Sequence, residues 1–188
     1  MTDQAILATG AADFIGFQVA RQLLGEGRPV VGPDNLNSYY DPASKQARLA
    51  PLRGDLFANA IMADRPIRLF NHGKMRRGFT YIDDVTRVVS KLIDRVPADE
   101  LAAANAPSKV DNVGNHPPEE LMHVVGLLEQ ELGRTAVEES LPMQPEDVLE
   151  TFADVEDLMR DTGFAPSTPI AHGVRNFVTW SRLLQGLK

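Results

Sequence analysis

Ala5-Ile6-Leu7-Ala8-Thr9-Gly10-Ala11-Ala12-Asp13-Phe14-Ile15-Gly16 is the stretch that decides the fold. It opens with a short uncharged run stopped by a glycine, the pattern of a buried β-strand entering a tight turn. From Phe14 the period changes: Phe14, Ile15, Phe17, Val19, Ala20, Leu23 and Leu24 recur at helical spacing, and Gly25-Glu26-Gly27 ends the segment. Val30-Val31-Gly32 then reads as a second strand ending near Asp34, so residues 5–34 make one βαβ unit of about the 30 residues such a unit needs. A glycine turn between strand and helix is suited to a nucleotide, because the helix N-terminus presents free N–H groups to a pyrophosphate. Asp34 lies close to the spacing of about 20 residues at which an acidic side chain takes a ribose hydroxyl pair. A tight turn with an N-capping aspartate accounts for the same residues without any ligand.

Outward from that unit, composition sets the limits. The chain has 188 residues, 43% hydrophobic and 24% charged, which suits one ordinary globular domain or two small ones. Lys+Arg 19 against Asp+Glu 26 gives a net charge of -7, the wrong sign for tracking a phosphate backbone, so no nucleic-acid partner is expected. With no cysteine, disulfides, thiolate metal sites and a cysteine nucleophile are excluded, and a reducing compartment fits. The first residues carry no basic leader, and no apolar run reaches membrane-spanning length, so the expectation is a cytoplasmic protein without a membrane partner.

After Asp34 the regular alternation of strands and helices breaks off. Asn35-Leu36-Asn37-Ser38 is a loop by turn chemistry. Helices are expected over 43–50 and 55–63, then short strands near 67–70 and 77–81 around the turn Asn71-His72-Gly73. Asp83 or Asp84 can cap a helix reaching about Arg95, with Val85, Val88, Val89, Leu92 and Ile93 on its apolar face. Residues 97–109 read as a loop, and Val110–Val113 as a strand. Pro117-Pro118-Glu119-Glu120 is expected to open a helix reaching Leu132, with its carboxylates in the first turn. A short strand at 136–138 and helices over 155–162 and 169–184 complete the chain.

Several of these words are recognisable together. The stretch from Ala11 to Leu49, with Phe14-Ile15-Gly16-Phe17 and Asp34-Asn35-Leu36-Asn37-Ser38-Tyr39-Tyr40-Asp41, resembles the start of the UDP-glucuronate 4-epimerases, members of the NAD-dependent epimerase/dehydratase group of extended short-chain dehydrogenases/reductases. Phe70-Asn71-His72-Gly73-Lys74-Met75-Arg76-Arg77, Phe79-Thr80-Tyr81-Ile82-Asp83-Asp84, Val113-Gly114-Asn115, Leu141-Pro142-Met143-Gln144-Pro145 and Thr151-Phe152-Ala153-Asp154 resemble that family's C-terminal half, in order. The resemblance implies NAD as cofactor, with Gly10, Asp13, Phe14, Ile15, Gly16, Asp34 and Asn35 at the cofactor positions. It also implies a UDP-sugar ligand met by Arg77, Gln144 and Asp147, where Arg77 stands at the diphosphate and Asp147 near the uridine ribose.

The chain departs from the family in three ways. Its glycine turn is Gly-x-x-Gly-x-x-Gly in relatives, and Asp13 replaces the middle glycine. A unit charge about 6 Å from a phosphate costs about 3 kcal/mol at an effective dielectric near 20, about a hundredfold in affinity, which implies weak NAD binding. The catalytic Ser/Thr and the Tyr-x-x-x-Lys pair of the family are missing as well. Tyr39, Tyr40 and Tyr81 are followed four residues on by Ala43, Ser44 and Val85. Finally, around residues 50–55 the text passes from the second Rossmann strand and helix straight into the substrate half, an omission on the order of 100 residues at about 30 per βαβ unit.

Other constellations have bland readings beside the functional ones. Lys74-Met75-Arg76-Arg77 is equally a solvated hairpin turn, and at Gln144 many relatives carry a phosphate-binding arginine, with Glu146 at a usual glycine. His116, Glu119, Glu120 and His123 lack the spacing of a metal site, and no metal is expected. The expected fold is α/β: a reduced Rossmann-like parallel sheet in residues 1–54 and a small α/β substrate-type part in 55–188, with 110–116 returning to the Rossmann sheet. The expected function is that of a nucleotide-sugar epimerase-family protein with partial NAD and UDP-sugar sites and no catalysis of its own. The alternatives are a ligand-free interaction protein and a fragment completed by a partner chain. Because an omitted sheet centre exposes strand edges and apolar faces, a homo-oligomer is expected.

Overall fold

The computed structural model describes residues 5–11, 14–33, 56–95, 109–115, 117–144 and 147–184. In chain order the described elements are β1 (Ile6–Leu7), α1 (Phe14–Gly25), β2 (Val30–Val31), α2 (Leu56–Met62), β3 (Pro66–Leu69), a 3-10 turn (Phe70–Gly73), β4 (Arg76–Arg77), α3 (Ile82–Ile93), β5 (Glu119–Glu120), α4 (Leu121–Leu132), β6 (Val137–Ser140), β7 (Glu150–Thr151), α5 (Glu156–Thr162) and α6 (Ile170–Leu184). The expected helix over 43–50 lies outside the described residues.

The chain divides into two compact units, each assembled from three stretches. Residues 1–52, 82–114 and 154–166 form the first, and 53–81, 115–153 and 167–188 the second. A single division between residues 54 and 55 therefore does not describe the grouping, since α3 and α5 fold with the N-terminal stretch. An amphipathic helix joins whichever neighbour buries its apolar stripe, whatever its place in the chain.

In the first unit β1 and β2 pair in parallel, Ile6 opposite Val30 and Leu7 opposite Val31. Ile6 N–H donates to Pro29 O at 2.8 Å and Ala8 N–H to Val31 O at 2.9 Å. α1 buries Val19 and Leu23 and packs against α3, which in turn packs against α5. Val88 and Leu158 are fully buried. The α/β class and the parallel pairing are those expected, but the fully buried first strand is not. Ile6, Ala8 and Gly10 are half-buried, whereas Ala5, Leu7 and Thr9 between them are exposed, as is Val31. Parallel strands are buried on both sides only where helices cover both faces, and the described part of this unit leaves one face open.

Two further expectations fail here for physical reasons. Residues 109–115 form no strand, and Val110 is 93% exposed. An apolar run becomes a strand only against a ladder partner, and this stretch is instead tied by Lys109, which pairs with Asp111 at 3.2 Å and with Asp161. Asp83 and Asp84 do not precede α3 but lie inside its first turn, where the helix dipole still favours carboxylates.

The second unit holds an apolar core of Ile61, Ile67, Leu69, Val125, Leu128 and Val178 with their neighbours. β3 alternates exposed and buried residues, turning Ile67 and Leu69 inward, and pairs in parallel with β6 from Pro66 opposite Val137 to Leu69 opposite Ser140. A three-stranded sheet places β4 between β5 and β7. Arg76 and Arg77 face Glu120 and Glu119 in antiparallel register, and Glu150 and Thr151 in parallel register. This pairing corrects the reading of Glu119 and Glu120 as a helix first turn. Opposite-charge cross-strand pairs stabilise the ladder, so α4 starts only at Leu121, after both carboxylates. Among the described residues no helix is long and apolar enough to cross a membrane.

Candidate functional site

The candidate residues fall into two groups, one in each unit. In the first unit the glycine turn is set by backbone geometry. Gly10 has a φ of +67°, a left-handed conformation that a side chain disfavours. Gly16 serves close approach: a Cβ there would lie 2.2 Å from Gly10 O and 2.7 Å from Gly10 C. Helix and strand end thus meet backbone to backbone, the tight crossing that a dinucleotide turn requires. The N–H groups of Gly10 and Ala11 both donate to Pro33 O, at 3.1 and 3.5 Å, so they join the turn to the end of β2. Donors for an anion must then come from the first turn of α1, where Phe14 and Ile15 stand exposed at 43% and 53%. Asp13, Asp34 and Asn35 lie outside the described residues. The close crossing of Gly10 and Gly16 leaves the start of α1 clear of side-chain bulk from the turn.

In the second unit Arg77 lies on β4, and Gln144 and Asp147 lie between β6 and β7, joined to Arg77 through Val148. Arg77 is held by carbonyls: its Nη1 donates to Val148 O at 2.8 Å and to Arg76 O at 3.0 Å, and its Nη2 reaches Met75 Sδ at 3.8 Å. With Nη1 occupied, Nε–H and the rest of Nη2 are the donors of the planar fork that meet no acceptor among the described residues. Arg76 is treated differently, since its Nη1 lies 3.4 Å from a Glu150 carboxylate oxygen and its Nη2 donates to Pro118 O at 3.0 Å. Asp147 N–H donates to Gln144 O at 3.1 Å, closing a turn. Asp147 Oδ2 is enclosed and has no hydrogen-bond partner among the described residues. A buried carboxylate oxygen without a donor is costly, and a ligand hydroxyl supplies such a donor. The Gln144 side chain is exposed.

Some features are not singled out by sequence. His72 Nδ1 lies 3.0 Å from Ser140 Oγ, a contact between the 3-10 turn and the end of β6, far apart in the chain, with no local pattern to signal it. Tyr81 takes a hydrogen bond from Asn176 Nδ2 at 3.0 Å and meets the His172 ring edge to face at 5.9 Å. Beside them is a cavity of about 260 Å³ lined by Phe79, Leu128, Ile170, Val174 and Phe177 among others. Tyr81 therefore has an amide rather than a lysine for its partner. Glu119 Oε2 and His123 Nδ1 are 3.0 Å apart, and among the described residues no three metal-ligating side chains gather. His116 lies outside the described residues.

Comparison with known proteins gives a consistent result. No family model matches the chain. Protein CapI of Staphylococcus aureus is 42% identical over 133 residues, covering 66% of this chain and 40% of that protein. A probable UDP-glucuronate 4-epimerase of Rhizobium meliloti is 40% identical over 134 residues, covering 66% of this chain and 39% of that protein. The chain thus spans about two fifths of the length of these curated relatives. Among solved structures, MoeE5 in complex with UDP-glucuronic acid and NAD aligns with a TM-score of 0.74 at 17% identity, covering 96% of this chain and 99% of that one. At that identity the likeness shows the Rossmann-like α/β fold.

Proposed function

Since the chain belongs to the NAD-dependent epimerase/dehydratase family as a UDP-glucuronate 4-epimerase-like member, we propose that it is a nucleotide-sugar-binding protein that has kept parts of two binding sites and lost its catalysis. The observation that carries this reading is the Asp147 carboxylate oxygen, enclosed and without a partner among the described residues, next to the Val148 carbonyl that anchors Arg77. Arg77 offers a charged fork to a diphosphate and Asp147 an acceptor to a ribose hydroxyl. On the other unit the Gly10–Gly16 turn and the first amides of α1 take a pyrophosphate, weakened by the Asp13 charge. NAD, when bound, supplies a hydride acceptor. The chain carries no Tyr-x-x-x-Lys pair to take the proton from a sugar hydroxyl, and the Tyr81 hydroxyl is tied to Asn176.

Calorimetric titration tests this reading. UDP-glucuronate is expected to bind at micromolar strength and Arg77→Ala to weaken it about tenfold or more. NAD is expected to bind weakly and to tighten in Asp13→Gly by up to about a hundredfold. Neither ligand binding to wild type or variant overturns the proposal.

A second reading, self-association, is favoured by the open face of the β1–β2 pair, where Leu7 and Val31 stand opposite each other at 65% and 55% exposure. Residues 5–11 carry no charge, so two copies of an otherwise acidic chain approach there without repulsion. Light scattering decides it: Leu7→Glu is expected to dissociate an oligomer, and a monodisperse wild-type monomer at high concentration overturns it.

A further inference from the structure

The turn from Phe70 to Gly73 holds three successive residues at positive φ: Asn71 at 49°, His72 at 53° and Gly73 at 73°. Glycine adopts this geometry freely, but two side-chain-bearing residues in sequence there are strained, and such strain persists only where the surroundings over-determine it. They do so here. Asn71 Nδ2 donates to Lys74 O at 2.8 Å, and Lys74 N–H returns a bond to Asn71 O at 2.9 Å. His72 N–H donates to Leu141 O at 3.1 Å, and Leu141 N–H to Leu69 O at 2.9 Å.

The strained backbone places the His72 ring against the end of β6, with Nδ1 3.0 Å from Ser140 Oγ. With the ring proton on Nε2, the Ser140 hydroxyl donates to Nδ1. Ser140 is the residue from which the loop to Asp147 and Val148 departs. That loop is thus pinned at its start by His72 and at its end by Arg77, through Val148 O at 2.8 Å. Between the two pins lie Gln144 and Asp147.

We infer that His72 is a positioning residue for a nucleoside diphosphate: through Ser140 it fixes the loop that carries Gln144 and Asp147. The inference rests on the nucleotide-sugar reading of that loop and adds to it a residue that touches no ligand. The left-handed turn is then the device that delivers the ring, and the contact is specific to the histidine side chain rather than to the backbone.

Titration with UDP of wild type, His72→Gly, Ser140→Ala and the double variant tests it, with melting curves alongside. His72→Gly relieves the positive-φ strain, so its melting temperature is expected to equal or exceed that of wild type. Its UDP affinity is nevertheless expected to fall about 3- to 10-fold, the worth of one hydrogen bond. Ser140→Ala is expected to give a similar fall, and the double variant no further one. Wild-type UDP affinity retained in His72→Gly overturns the inference and leaves the binding reading intact. An affinity lost only in step with the melting temperature also overturns it, because His72 is then scaffold. No UDP binding by wild type overturns the binding reading itself, and this inference with it.

Discussion

Gly16 sits where α1 crosses the end of β1, and replacing it with alanine has a consequence that can be worked out. The added methyl lies 2.2 Å from Gly10 O, 2.7 Å from Gly10 C and 3.1 Å from Thr9 O. A carbon–oxygen contact normally relaxes to about 3.3 Å or more, so turn and helix must part by about 1 Å. All three colliding atoms are backbone, and no rotamer change relieves them. Overpacking costs about 1–3 kcal/mol, and two contacts under 3 Å put Gly16→Ala in the upper part, about 2–3 kcal/mol. Gly25→Ala is the control: it ends the same helix, and its Cβ meets nothing within 4 Å. It is expected to raise stability by about 0.5–1 kcal/mol through helix propensity and a less flexible unfolded chain. A chain of two units need not melt in one step, so the assay is native-state amide exchange at Ile6, Ala8 and Gly10, the donors to the carbonyls of Pro29, Val31 and Pro33. Gly16→Ala should speed their exchange about 30- to 150-fold, and Gly25→Ala should slow it. Exchange within about threefold of wild type in Gly16→Ala would refute the close-approach argument.

Leu128, 2% exposed in the core of the second unit, is expected to cost about 2–5 kcal/mol when replaced by alanine, read through Trp180, the sole tryptophan, on α6. Ser181, buried with an Oγ that has no partner among the described residues, is expected to be neutral or stabilising as Ser181→Ala, by up to about 1 kcal/mol in urea unfolding; a loss above that shows a hidden partner. The hydrogen bond from Gln22, then that from Ser90, holds the Glu26 carboxyl below its usual range, and Lys109 does the same to Asp161. A carboxyl whose folded pKa is depressed adds stability that is full above its ordinary value, about 4, and lost as pH falls through the folded one. Acid unfolding of the first unit is therefore expected to shift to lower stability only below about pH 4, and the Glu26→Gln/Asp161→Asn double variant to flatten that dependence in a pH series of amide exchange.

Much of the fold is legible in residues 5–33 because its signals are local. The change of period at Phe14, the stop at Gly25-Glu26-Gly27 and the valine pair at 30–31 each depend on neighbours in sequence, and α1 and β2 lie where they place them. Apart from the one-residue shift at the start of α3, the failures are non-local. Whether Leu7 is buried depends on a second helical layer, whether Val110 joins a strand depends on a ladder partner, and whether Glu119 starts a helix depends on two arginines more than forty residues earlier. The site divides the same way. Arg77, Gln144 and Asp147 are visible as words of a family, but the hydrogen bonds from Arg77 to Val148 and from Leu141 to Leu69, and the contact between His72 and Ser140, are tertiary facts without a spacing rule.

The two adjacent arginines of β4 show how tertiary context assigns roles to identical side chains. Arg76 stands in register with Glu120 on one side and Glu150 on the other, and its guanidinium lies 3.4 Å from the Glu150 carboxylate. Its charge is compensated within the fold, so it serves the ladder. Arg77 faces Glu119 and Thr151 in register, yet its guanidinium is held by two carbonyl oxygens. Carbonyl dipoles orient a guanidinium without cancelling its charge, and that leaves Arg77 a fixed cation with donors to spare. Of two neighbouring arginines on one strand, the fold thus neutralises one and orients the other, and it does so through partners that lie more than seventy residues away in the chain.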